Sequence, residues 1–256
     1  MTALIVSLVN QKGGVGKTTT AVSLAVGLGR RGQRVLLIDL DPQANATSAL
    51  GVSGLDTPGT YDAILDETPM GECIVRVEAE GIDLVPSSAE LSGAEVELVP
   101  VMARERRLTN AIAAVKDRYD WILIDCPPSL GLLTINALSA SDSVVIPVQC
   151  EYMALEGLSR LMETLDLVKR NLNPSLRVLG VILTMFDART RLAQQVVDEV
   201  RNHFPQTFAT IIPRSVRLSE APSHGQSIFA YDTGGRAATA YDAVASELLE
   251  RVGAAV

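Results

Sequence analysis

The sequence predicts a three-layer α/β fold: a mostly parallel, twisted sheet with helices on both faces. Three observations predict it. Short unbroken runs rich in Val, Ile and Leu recur along the chain, segments with helical spacing separate them, and a glycine-rich loop follows the first run. Unbroken apolar runs, unlike alternating ones, mark strands buried on both faces. Their alternation with helices implies right-handed crossovers and hence parallel neighbours.

Taken in order, the strands are expected at residues 4–9, 35–38, 82–85, 121–124, 144–148, 178–183 and 208–212. Helical spacing covers residues 18–31, 101–118, 132–140, 154–171 and 192–203. Between Gly51 and Gly81 the breakers Gly54, Pro58, Gly59, Pro69 and Gly71 interrupt both periods, so loops and short helices are expected there rather than a second domain. In the last segment Ala240, Val244, Leu248 and Val252 share one helical face, which should close the sheet. With 256 residues, 47% of them hydrophobic, the chain can enclose one substantial core, and residues 1–256 are read as one domain.

A net charge of −8 excludes a protein that coats nucleic acid with its whole surface; any contact with phosphate must come from a local patch. Cys73, Cys126 and Cys150 lack CxxC spacing and are read as buried thiols of a reducing, cytoplasmic setting. The opening MTALIVSLVN has no basic leader and reads as a buried strand rather than a signal peptide. No apolar run approaches the ~18 residues of a membrane span. His203 and His224 show no metal spacing.

The chemistry is concentrated in Asn10–Thr20, directly after the first strand and opening the first helix, the context a phosphate-binding loop requires. Gly13, Gly14 and Gly16, with Val15 between them, let backbone N–H groups turn toward an anion, and the helix N-terminus adds its positive end. Lys17 would reach the β- and γ-phosphates of a nucleotide, Thr18 would offer its hydroxyl to Mg²⁺, and Val15 and Thr19 complete the nucleotide-binding set. Gln11 stands where the strict phosphate-loop pattern has its first glycine, and Lys12 adds a second lysine inside the loop. Two acids, Asp39 and Asp41, lie at and just past the end of the second strand, where ligands bind in open α/β sheets. Four apolar residues precede Asp125, the shape of a strand that presents an acid to Mg²⁺ through water.

KGGVGKT resembles the deviant Walker A motif of the ParA/MinD family. Similarity to ParA-type (Soj-like) partition ATPases also covers residues 39–47, 125–137, 145–157, 183–191 and 212–225; the runs PPSLGLL (127–133) and RLSEAPSHG (217–225) are its most specific parts. The resemblance implies that Lys12 reaches a partner's nucleotide across a homodimer, that Asp41 orients the attacking water, and that Asp39 supports the magnesium shell beside Thr18 and Asp125. It implies that Met185, Pro213 and Arg214 lie near the adenine. It implies nonspecific binding to double-stranded DNA, with Arg189 and Arg217 as phosphate contacts, a ParB-type partner, and association with the nucleoid. Charge agrees with a local patch: residues 160–217 hold nine basic and five acidic side chains, leaving −12 for the rest of the chain.

Other readings are weaker. A MinD-like membrane ATPase needs a basic amphipathic tail, whereas residues 246–256 carry two acids, one base and no aromatic residue. An iron–sulfur reductase needs a bridging cysteine pair that Cys126 does not supply. An ATP-using ligase needs a second substrate pocket, and none is legible.

Overall fold

A computed structural model describes residues 3–52 and 57–253; Gly54, among the expected breakers, lies outside them. The strands are β1 (Leu4–Leu8), β2 (Val35–Asp39), β3 (Val75–Val77), β4 (Ile82–Val85), β5 (Trp121–Asp125), β6 (Ser143–Gln149) and β7 (Arg177–Thr184). They form one sheet in the order β3-β4-β2-β5-β1-β6-β7, parallel except where β3 meets β4. The helices are α1 (Lys17–Gly29), α2 (Asn45–Ala49), α3 (Thr60–Ile64), α4 (Leu91–Glu97), α5 (Arg107–Ala113), α6 (Leu132–Ala140), α7 (Ala154–Asn171), α8 (Arg191–His203), α9 (Arg217–Glu220), α10 (Ile228–Tyr231) and α11 (Arg236–Gly253).

Each central strand serves two cores. Leu36, Ile38, Ile122 and Ile124 point into the layer built by α3 to α8, while Val35, Leu37, Trp121 and Leu123 point into the layer of α1, α10 and α11. Side chains alternate along a strand, so a strand covered on both faces must be apolar at every position. That is why these runs are unbroken.

Register decides where chemistry can occur. Leu8, the last residue of β1, lies opposite Asp125, and Asp125 lies opposite Asp39. The loop after β1 and the acids ending β2 and β5 therefore meet at one carboxyl end of the sheet.

Two expectations are corrected. Residues 208–212 are not a strand. Phe208 donates to Val181 and Ile212 to Leu183, but between them the amides of Ala209 and Thr210 turn away to the Glu247 carboxylate (2.8 and 3.2 Å), so only isolated bridges form beside β7. The helix expected over 101–118 is α5 flanked by short 3-10 turns at 104–106 and 116–118, because Ala103 adopts a left-handed conformation (φ 52°). Beyond these, β3 forms where only loops and short helices are expected, and α2, α4, α9 and α10 form where the pattern indicates no element. Among the described residues, no helix is long and apolar enough to cross a membrane.

Candidate nucleotide site

Asn10 stitches the glycine-rich loop to the sheet. Its side-chain amide donates to the Pro147 carbonyl (2.7 Å) and its oxygen accepts from the Lys12 amide (2.9 Å). Thr184 at the end of β7 donates to the Val15 carbonyl (2.8 Å), holding the loop from the other side. Gly16 caps α1 in the left-handed region (φ 88°) and offers no side chain, so the first N–H groups of a largely buried helix have no side-chain acceptor and face the cleft.

Lys17 is buried, and among the described residues its ammonium donates only to a distant carbonyl, that of Lys12 (3.4 Å). Burial lowers its pKa, opposed by the charges of Asp125 and Asp41. Asp125 is fully buried and, among the described residues, neither carboxylate oxygen has a hydrogen-bond partner. Burial raises its pKa well above the usual range, helped by Asp39; the neighbouring Thr18 hydroxyl and Lys17 ammonium pull it back. A buried carboxylate without donors is costly unless a cation joins it. With the Thr18 hydroxyl nearby, the oxygen donors here fit a small hard divalent ion.

Asp39 is differently placed. One oxygen accepts from both the amide and the hydroxyl of Thr47 (2.8 and 2.7 Å), the other from the Asp41 amide (3.2 Å). It thereby fixes the start of α2, and burial pushes its pKa up to about 6 despite those bonds. Asp41 engages one carboxylate oxygen with the Gln43 amide (2.9 Å), and its carbonyl accepts from Ser87 (2.8 Å).

These shifts have a stability consequence. A carboxyl whose folded pKa exceeds its unfolded one supports the fold only while protonated. In the nucleotide-free protein the stability contributed by these two carboxyls should therefore be lost as pH rises from about 4 through 6 and above. Asp125→Asn removes the most strongly shifted charge. By calorimetry at pH 8 it should melt roughly 5 °C above the parent, the gap closing toward pH 4; equal melting at pH 8 would contradict this.

The loop opens on a cleft of about 500 Å³ lined by Gly13, Gly14, Gly16, Lys17, Thr18, Thr19, Asp41, Pro128 and Met185, with a far wall from α9 to α10. Pro213 and Arg214 line an adjoining hollow shared with Gly16, Thr19 and Met185, whose φ is positive at 54°. The far wall is braced where Gly225 meets Gly51; a Cβ on Gly225 would sit 2.8 Å from the Gly51 Cα. Lys12 stands apart, 47% exposed, with its ammonium 3.2 Å from Glu151. Arg189 and Arg217 lie at the surface, each paired with an acid, Asp187 (2.6 Å) and Glu220 (2.9 Å).

A family described as an AAA domain matches residues 3–178. The chain is 55% identical over 246 residues to the sporulation initiation inhibitor protein Soj of Bacillus subtilis, covering 95% of this chain and 97% of that one. It is 52% identical over 249 residues to the chromosome partitioning protein ParA of Myxococcus xanthus, covering 96% and 88%. The chain belongs to the ParA/Soj family of P-loop ATPases. Among solved structures, cobyrinic acid a,c-diamide synthase from Mycobacterium smegmatis, with bound ADP and magnesium, superposes with a TM-score of 0.86 at 34% identity over 99% of this chain and 97% of that one.

For this ParA/Soj chain, sequence reading gave no role to Thr47 or Ser87, which hold the two acids of the β2 loop, nor to Gln226, Ser227 and Ile228 of the cleft wall. Small hydroxyl residues carry no periodic signal. The RLSEAPSHG run carries the family resemblance, but nothing in its pattern assigns Leu218, Ser219, Ala221 or Pro222 to that wall.

Proposed function

We propose that this chain is a nucleotide-switched partition ATPase. It binds ATP with Mg²⁺ in the cleft, pairs with a second copy, holds double-stranded DNA without sequence preference in that state, and moves chromosomal or plasmid DNA on the nucleoid with a ParB-type partner. The observation that carries this reading is the divergence of two lysines in one loop. Lys17 is buried in the cleft beside the acids, whereas Lys12 is absent from the cleft lining and half exposed, and Gly13 beside it faces open space. A cation directed away from its own phosphates is available to those of a second subunit, where it would stabilise transferring charge in the manner of an arginine finger.

Magnesium, when bound, neutralises phosphate charge. Asp125 would hold it through water and Thr18 directly, with Asp39 behind them keeping the β2 loop in place. Lys17 grips the β- and γ-phosphates, and Asp41 orients the attacking water. Met185, Pro213 and Arg214 supply the wall against which the base rests. The bound ADP and magnesium of the Mycobacterium smegmatis structure support this use of the cleft.

Arg189, 87% exposed, and Arg217, 57% exposed, belong to the basic segment of an otherwise acidic chain. Dimerisation would double that segment, raising DNA affinity without new contacts within either subunit.

Size exclusion and salt-dependent gel shifts test the reading. With a slowly hydrolysed ATP analogue and magnesium the parent should elute as a dimer, and Lys12→Ala as a monomer that still binds nucleotide. DNA retention should accompany the dimer, and the double change of Arg189 and Arg217 to Ala should weaken it roughly 10-fold or more. A solitary nucleotide-loaded form, or retention indifferent to nucleotide, overturns the reading. The diamide-synthase likeness favours a second one, ATP consumed in forming an amide on an acid substrate; ATP turnover with no acid added would exclude it.

A further inference from the structure

Helix α6 begins immediately after the loop that follows Asp125, and its own sequence does not cap it. Its N-cap is Gly131, which has no side chain to accept from the first turn. The missing acceptor comes from α4. Glu95 accepts from the Leu132 amide with one carboxylate oxygen (2.8 Å) and approaches the Leu133 amide with the other (3.4 Å). Negative charge at that helix end is also favoured by the helix dipole. The glycine is part of the arrangement: at φ −80° any residue could adopt its backbone, yet a Cβ there would overlap the Glu95 carboxylate. Space at residue 131 is therefore reserved for an acid from another element.

The loop so anchored is short and functionally placed. Pro128 lines the cleft, and Thr134 in the first turn of α6 donates to the Ser129 carbonyl (2.6 Å), tying the loop to the capped helix end. Glu97, also on α4, accepts from Tyr61 of α3 (2.8 Å), and Thr60 beside it donates to the Asp39 carbonyl (2.7 Å). One helix outside the cleft thus touches the supports of both acid-bearing loops.

The geometry points to Glu95 as a positioning residue for hydrolysis: it fixes residues 126–131 against the phosphate end of the cleft by capping α6 from α4. This rests on the ATPase reading but not on dimerisation or DNA binding. Glu95 is not in the cleft lining, so its removal should leave nucleotide affinity alone and lower turnover.

Glu95→Ala should reduce kcat roughly 10-fold while the affinity for ATP stays within about twofold, and Glu95→Gln, which keeps one acceptor oxygen, should fall between Ala and the parent. Hydrogen exchange should quicken at the Leu132 and Leu133 amides. Gly131→Ala should produce the same selective loss by displacing the carboxylate. The decisive comparison is the double variant. With Glu95→Ala already in place, Gly131→Ala should cost no further turnover and no further urea-midpoint loss, because the group it displaces is gone. Independent, additive losses in the double variant would overturn the proposal, as would a kcat within twofold of the parent for Glu95→Ala. If turnover were lost in every protein including the parent, the ATPase reading would fail instead, and the urea midpoints would still report whether the Glu95–α6 contact exists.

Discussion

Lys17→Ala should weaken ATP binding at least about 100-fold, measured by titration calorimetry with a slowly hydrolysed analogue and magnesium. The size of the effect follows from burial. In this site the ammonium is removed from water and stands near Asp125 and Asp41 as well as the phosphates, so its loss leaves several negative charges together in a poorly solvated place. An affinity within tenfold of the parent would mean that the backbone N–H groups of the loop alone bind the phosphates.

Asp41→Ala should behave in the opposite manner, with ATP affinity nearly unchanged and hydrolysis down roughly 100-fold. The backbone around Asp41 is held by its amide to Asp39 and its carbonyl to Ser87, so truncation removes one side-chain contact, to the Gln43 amide, and leaves the loop in place. Slow hydrolysis with intact binding should trap the nucleotide-loaded dimer on DNA, and dissociation followed by surface plasmon resonance should lengthen in proportion. Normal turnover by this variant would remove Asp41 from the hydrolytic role.

Much of this site was legible in the sequence because its parts are contiguous. The loop from Asn10 to Thr20 and the acids ending two apolar runs declare themselves, and parallel strands carry those acids to one end of the sheet, where the register sets Asp39 beside Asp125. Less legible were features decided by residues distant along the chain. Residues 208–212 have the composition of a strand, but the amides at 209 and 210 are claimed by Glu247, which no local window contains. Helix α4 is short and includes Gly93, so its pattern is faint, and the purpose of Glu95 emerges only with α6 beside it. The break at Ala103 is a backbone event at a residue that favours helices. Periodicity reports which face is apolar, and it does not report where a single polar group finds its partner.

The Glu247 contact also bears on how densely such molecules can gather. A bare outermost strand offers a row of free amides and carbonyls on which another chain can add itself, the beginning of uncontrolled polymerisation. Here β7 is flanked by residues 207–213, whose own middle amides are already spent on a carboxylate, and the opposite border is a strand of three residues running against its neighbour. Neither border presents a long, regular template. Copies can therefore be brought to high local concentration without their sheets fusing.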